Sequence, residues 1–351
     1  MKEATDKYKA VYPTYVQFTQ RLDDLLKGLL EAENIKYDKI EARAKTIDSF
    51  EEKISRPGKT YSDPLSEITD LSGLRVILYY SEDVEKVIKL LKREFKINET
   101  LSVDKKSELK PDQLGYISTH LIVSLNADRK KLIEWKAFEK ITAEIQIRTV
   151  LQHAWASISH ALQYKNENEV PIPFRRKLLR LSGIMELADE QFSELREEKI
   201  KLGKALVKKL DKKEYDILID KLSVKEYLLS SDNADKIIDI AIKHGFGLSG
   251  DSFENSQLVN ISAEIGVKSI SEIDIGLSAA LKDADTFFKA FATEGLLSKM
   301  EVSGGKDHWC AVLFLAYNID RVDRSDIKMW GSPYVDSVFK VAKKIYSQHK
   351  S

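Results

Sequence analysis

Apolar residues recur at three- and four-residue steps from about Tyr12 to Glu33, through Val16, Leu22, Leu25, Leu26 and Leu29, which predicts a helix. A second helical pattern covers Tyr37 to Ser55 and stops at Arg56-Pro57-Gly58, a strong breaker. The run Leu74-Arg75-Val76-Ile77-Leu78-Tyr79-Tyr80 reads as a buried strand. Ser81-Glu82-Asp83 then opens a helix to about Phe95, with acids at the end where the helix dipole favours them. Two further strands are predicted near Tyr116 to Leu125 and Ile141 to Arg148. The second alternates cleanly, with Ile141, Ala143, Ile145 and Ile147 on one face and Thr142, Glu144, Gln146 and Arg148 on the other. Helices from Thr149 to about Tyr164 and from Phe174 to about Lys208 follow.

Beyond roughly Gly203 the pattern changes. Helical segments succeed one another near Tyr215 to Leu229, Ala234 to His244, Gln257 to Ile265, Ser278 to Phe291, Trp309 to Tyr317 and Tyr334 to Gln348, and no strand pattern is convincing. The expected fold is α+β over residues 1–202, followed by an all-helical domain over 203–351.

Composition narrows the classes of function. Lysine plus arginine equals aspartate plus glutamate at 56 each, so bulk electrostatic capture of nucleic acid is not expected. Cys310 is the only cysteine, which excludes an intrachain disulfide and cysteine-rich zinc sites. The start, Met1-Lys2-Glu3-Ala4-Thr5-Asp6, lacks a signal-peptide core, and no apolar run reaches membrane-spanning length. A soluble cytoplasmic protein is expected.

Several polar positions stand out against this background. Lys45, Ser49 and Lys53, each four apart, form a stripe on the second predicted helix away from Ile47, Phe50 and Ile54; two cations and a hydroxyl on an open face suit a polyphosphate. Arg43 lies off that stripe and would reach the site from the helix's beginning. Asp70 sits four residues before a buried strand, in a loop at a sheet end where sites are commonly placed. Arg75, early in an apolar run, needs a partner if buried. Glu144 lies on the polar face of its strand with Gln146 and Arg148, while Tyr116, Ser118 and His120 share a face of another. His153, Ser157, His160 and Tyr164 share a helix face at spacings of four, three and four; with the histidines seven apart, hydrogen bonding is expected of them rather than metal ligation. Taken singly, each feature is ordinary: a solvated face, a turn aspartate, an exposed strand.

Their order is more specific. Arg43-x-Lys45-x₃-Ser49-x₃-Lys53, Asp70-x₄-Arg75, Gly115-Tyr116-x-Ser118-x-His120 and Glu144-Ile145-Gln146-Ile147-Arg148-Thr149 together resemble the synthetase domain of the RelA/SpoT family. His153-x-Trp155 and His160-x₃-Tyr164-Lys165 are similar to its small alarmone synthetase branch. The resemblance covers about Tyr12 to Lys199.

The resemblance implies a nucleotidyltransferase-like mixed sheet flanked by helices. It further implies transfer of the β,γ-diphosphate of ATP to the ribose 3′-hydroxyl of GDP or GTP, making (p)ppGpp and releasing AMP. Arg43, Lys45, Ser49, Lys53 and Arg75 would grip ATP. Asp70 and Glu144 would be the catalytic pair and hold Mg²⁺, with Glu144 as base, ligand or both. Tyr116 would stack on the acceptor base, with His120, Gln146 and Arg148 lining the acceptor side. The hydrolase domain of long family members finds no counterpart among the roughly forty residues before the first motif, so synthesis without hydrolysis is expected.

The acceptor side departs from the branch. Ile117 follows Tyr116 where many small synthetases have arginine, and Lys110 is the nearest upstream cation. Toxic relatives that modify the 3′ end of tRNA, or that use adenine nucleotides as acceptors, are therefore alternatives to a guanosine nucleotide, as is a catalytically silent nucleotide-binding module. A homo-oligomer is expected. The helical domain offers no phosphate loop or zinc pattern, and its position suggests control of its neighbour.

Overall fold

The computed structural model describes residues 2–58, 60–104, 118–162, 171–250, 256–294 and 302–346. They divide into two compact units, Met1–Arg196 and Glu197–Ser351.

The first unit is α+β. Its elements are α1 (Lys2–Ala32), β1 (Tyr37–Ala44), α2 (Ile47–Ile54), α3 (Pro64–Glu67), β2 (Ser72–Leu78), α4 (Ser81–Glu94), β3 (Phe95–Ile97), β4 (Val103–Asp104), β5 (Thr119–Leu125), α5 (Ala127–Lys130), β6 (Thr142–Thr149), α6 (Val150–Ala161) and α7 (Ile172–Asp211). From Glu197 onward α7 belongs to the second unit. The strands form one mixed sheet in the order β1-β2-β6-β5-β3, with β4 also on β5. Among the described residues of this sheet, only the central β2–β6 pair is parallel.

Alternation divides the two faces of this sheet. Leu74, Val76 and Leu78 of β2, Ala143, Ile145 and Ile147 of β6, and Leu121 and Val123 of β5 point into a core shared with Phe18, Leu22, Leu26 and Leu30 of α1 and Val87, Leu90 and Leu91 of α4. Opposite them, the polar residues at the intervening positions of β1, β2, β6 and β5 share the other face.

In the first unit, two expectations about local structure are corrected. The stretch Tyr37 to Ser55 is not one helix: its first half is strand β1, paired antiparallel with β2 from Tyr37↔Leu78 to Ala44↔Ser72. Lys, Glu, Ala and Arg are good helix formers, but pairing along the edge of the sheet overrides their propensity. Helix α2 starts only after Thr46, whose Oγ1 accepts from the Ser49 amide as an N-cap. Helix α1, in turn, begins at Lys2 rather than near Tyr12 and carries Pro13 within it. Its early residues are held because Tyr8 is fully buried, stacked on Phe50 at 4.4 Å between ring centroids, in a small core with Ile68 and Leu71.

The second unit is helical: α8 (Lys221–Ser230), α9 (Asp232–Lys243), α10 (Gln257–Ile265), α11 (Ile270–Ala280), α12 (Ala284–Ala292), α13 (Lys306–Tyr317) and α14 (Ser332–Ile345). The pair β7 (Gly247–Leu248) and β8 (Ser303–Gly304) is a small exception to the all-helical expectation. Helix α13 is apolar on all sides and buried from Trp309 to Ala316, as a central helix must be. The helix expected from Ser278 to Phe291 is two, α11 and α12, separated by a 3₁₀ turn at Leu281–Asp283. The one expected from Tyr215 starts at Lys221, where Asp220 forms a capping box with Ser223. Gly276 lets α11 approach α13 closely, for a Cβ there would lie 2.4 Å from Phe314. Among the described residues no helix is long and apolar enough to cross a membrane.

Candidate active site

Register across the sheet assembles a polar row. Glu41 of β1 is opposite Arg75 of β2, Arg75 is beside Gln146 of β6, and Gln146 is opposite His120 of β5. Two residues along, on the same face, Arg43 is opposite Gly73 and Gly73 is beside Glu144. Gly73 carries no side chain between Arg43 and Glu144, which leaves the face open there. A cavity lies over this region, lined by Glu41, Ala42, Arg43, Asp70, Gly73, Leu74, Arg75, Glu144 and Gln146.

The side chains are joined end to end. His120 Nδ1 lies 2.7 Å from Glu144 Oε1, and its Nε2 lies 2.8 Å from the Ser118 hydroxyl. Gln146 Nε2 donates to the same Oε1 at 3.1 Å. Its own Oε1 accepts from Arg75 Nε at 3.2 Å and from an Arg148 terminal nitrogen at 2.5 Å. Arg75 reaches on to Glu41 at 2.7 Å, and Lys39 meets Glu41 at 2.7 Å. Among the described residues, Glu144 Oε2 makes no hydrogen bond.

Asp70 anchors the other side. Its two oxygens are each 2.8 Å from an ammonium group, Oδ2 from Lys45 and Oδ1 from Lys53. Lys45, nine-tenths buried, is held through its backbone: its amide donates to Leu71 O, and its carbonyl accepts from the Tyr8 hydroxyl at 2.5 Å. Burial pushes the Asp70 carboxyl upward, but the hydrogen bonds and charges of the two lysines outweigh it, and the group stays below its ordinary range. Burial likewise raises Glu144, and hydrogen bonds from His120 and Gln146 bring it below its usual value; the charge of Asp70 opposes them, so the two carboxylates feel one another. Arg148, 6% exposed, is lowered to about 10 by burial and then by the charge of Arg75. Its Nε, like Nδ1 of the neighbouring His153, is buried without a partner among the described residues. Burial also lowers His153, with help from the charges of Arg75 and Arg148.

The structure thus brings together Arg43, Lys45, Lys53, Asp70, Arg75, His120, Glu144, Gln146 and Arg148. Ser49 is exposed on α2 and bonds to the Thr46 hydroxyl at 2.9 Å. Lys45 precedes α2, so the predicted stripe is a loop lysine and a helical lysine meeting on one aspartate. Tyr116 lies outside the described residues, as do Lys110, Ile117 and Tyr164. Sequence reasoning missed Glu41; the alternation Tyr37, Lys39, Glu41, Arg43 was the available signal, hidden by reading β1 as helix. It also missed the role of Ser118 beneath His120.

No group of three or more His, Cys, Asp or Glu able to hold a metal occurs among the described residues. Two carboxylates in one cavity are nevertheless the donor set that suits Mg²⁺, which takes one or two protein carboxylates and completes its shell with water and substrate phosphates.

The family model described as "Region found in RelA / SpoT proteins" matches residues 42–169, an interval containing every residue from Arg43 to Arg148 discussed above. GTP pyrophosphokinase YwaC of Bacillus subtilis (strain 168) is 30% identical over 161 residues, covering 45% of this chain and 72% of YwaC. GTP pyrophosphokinase YjbM of the same organism is 30% identical over 194 residues, covering 52% of this chain and 86% of YjbM. Among solved structures, a GTP pyrophosphokinase family protein from Streptococcus pneumoniae aligns with 55% of this chain and 94% of its own, at 28% identity and a TM-score of 0.45. On the strength of the two Bacillus relatives, each matched over more than two thirds of its length, the chain belongs to the RelA/SpoT family and is a GTP pyrophosphokinase-like enzyme.

Proposed function

We propose that the chain transfers the β,γ-diphosphate of ATP to the 3′-hydroxyl of GDP or GTP, with Mg²⁺ held by Asp70 and Glu144. The observation that carries this reading is the meeting of Asp70 and Glu144 in one cavity with Arg43 and Arg75. The names of YwaC and YjbM support the guanosine acceptor. When bound, Mg²⁺ supplies charge neutralisation across the transferred phosphates.

The chain's own groups do the rest. Lys45 and Lys53, now on Asp70, are within reach of a polyphosphate that takes the carboxylate's place; Arg43 and Arg75 add planar contacts to phosphate or adenine. Ser49 and Tyr116 keep the ATP and acceptor-base roles the family resemblance gives them. The acceptor's 3′-oxygen attacks the β-phosphorus, the bond from that phosphorus to the bridging oxygen of the α-phosphate breaks, and AMP leaves. The hydroxyl proton passes to Glu144 through Oε2.

His120 has both ring nitrogens engaged, by Glu144 and by Ser118. It is therefore a positioning residue that fixes the Glu144 carboxylate, while Gln146 and Arg148 line the acceptor side. A direct test is product analysis with unlabelled ATP and GDP: AMP and a guanosine product heavier by one diphosphate should form in equal amounts. AMP formed without that product would refute the reading.

A further inference from the structure

The Arg75 guanidinium is held from two sides. Its Nε donates to Gln146 Oε1 at 3.2 Å, on β6, and its Nη1 donates to Glu41 Oε2 at 2.7 Å, on β1. Guanidinium N–H bonds lie in the plane of the group. Bonding to the strands on both sides of β2 therefore lays that plane along the sheet and turns one flat face to the cavity. Glu41 is itself fixed, because its other oxygen meets Lys39, two residues back on β1, at 2.7 Å. Hydrogen bonds from Lys39 and Arg75 outweigh burial and keep the Glu41 carboxyl below its ordinary range, so it is ionised at neutral pH.

Position along the strands decides which part of a donor meets this face. Lys45, Lys53 and Asp70 gather at the Ser72 end of β2. Gly73 comes next, between Arg43 and Glu144, and Arg75 lies two residues, about 7 Å, beyond it. A donor whose phosphates occupy the end with the lysines extends its base along the cavity, over Arg75. The carboxylate beside Arg75 agrees with this. Glu41 weakens the attraction of Arg75 for phosphate, whereas a guanidinium held flat still stacks on a planar ring.

We propose that Glu41 is a positioning residue for the donor nucleotide: it holds the Arg75 guanidinium flat so that the adenine stacks on it. This rests on the reading of ATP as donor. The test is calorimetric titration of the full chain, with Mg²⁺, by α,β-methylene ATP, which replaces the bond that transfer would break, and separately by inorganic tripolyphosphate. The Glu41–Arg75 pair is partly exposed, and such pairs add little to stability, so the variants should fold. Glu41→Ala should bind the analogue about five- to tenfold more weakly than wild type, the worth of one stacked cationic contact. It should bind tripolyphosphate, which has no base, as well as wild type or better, because a negative charge has gone. Glu41→Gln loses the same charge but keeps an oxygen for Arg75, and should recover the affinity for the analogue. Unchanged or tighter binding of the analogue by Glu41→Ala would overturn the proposal and leave the donor reading intact. So would an equal loss for tripolyphosphate, or a Glu41→Gln variant no better than Glu41→Ala. Failure of the wild type to bind the analogue would overturn the donor reading and this proposal together.

Discussion

Replacing Asp70 with asparagine removes one negative charge from between two ammonium groups while keeping the side chain's size. Lys45 and Lys53 each sit 2.8 Å from an Asp70 oxygen, and all three side chains are at most about a quarter exposed. Removing a carboxylate this sheltered should cost about 1–3 kcal/mol of stability, seen as roughly 2–4 °C in Tm per kcal/mol. The same change has the opposite effect on metal-free ATP. A unit charge about 6 Å away at an effective dielectric of about 20 is worth roughly 3 kcal/mol, and salt and mobile water reduce this to about a tenfold effect on Kd. Asp70→Asn should therefore bind ATP about tenfold more tightly than wild type in the presence of a chelator, because both lysines are released to the phosphates. With Mg²⁺ supplied it should lose transfer. Calorimetric titration with ATP, with and without Mg²⁺, reads both arms. Weaker binding by Asp70→Asn in chelator would refute the reasoning, since Asp70 would then not be the charge opposing the polyphosphate.

Other perturbations have equally definite outcomes. His120→Ala should lower kcat roughly 10–100-fold, as loss of an orienting partner does, with KM for the acceptor little changed; His120→Asn, which keeps a donor near Nδ1, should recover part of it. A rise in KM alone would make His120 an acceptor contact instead. In acid, Asp70 and Glu144 contribute through carboxyl groups held below their ordinary values of 3.8 and 4.5. Their stabilisation is present above those values and is lost as pH falls through the lower folded-state values. The stability gap between wild type and Asp70→Asn in urea titrations should thus be constant from pH 8 to about pH 5 and shrink below about pH 4; a gap that persisted to pH 2 would contradict this. In the helical unit, Gly276→Ala should cost about 1–3 kcal/mol by thermal melting, because the added methyl meets the Phe314 ring. A neutral result would mean that α11 and α13 can separate freely.

How far the chain discloses this site depends on where its signals are local. Strands β2 and β6 are legible because buried runs and strict alternation are properties of a few neighbouring residues. Glu144, Gln146 and Arg148 could be put on one face from spacing alone. Strand β1 was not legible, because the edge of a sheet is decided by its partner: Lys39, Glu41, Ala42 and Arg43 have helical propensity, and only pairing with β2 makes them a strand. Glu41 was lost with it, and so was the fact that Lys45 and Lys53 meet on Asp70 rather than lining one helix. The connection of His120 to both Glu144 and Ser118 follows from the β5–β6 register, which no local pattern encodes.

The proposed reaction is diphosphate transfer from ATP to a guanosine nucleotide at the Asp70–Glu144 site. Its most direct test is γ-³²P-labelled ATP and Mg²⁺ incubated with the full chain and, separately, GDP, GTP, ATP or bulk tRNA. Label should appear on GDP or GTP and be lost in both Asp70→Asn and Glu144→Gln. Label on tRNA or on adenine nucleotide alone would move the acceptor elsewhere, and transfer surviving in either variant would remove the carboxylates from the chemistry.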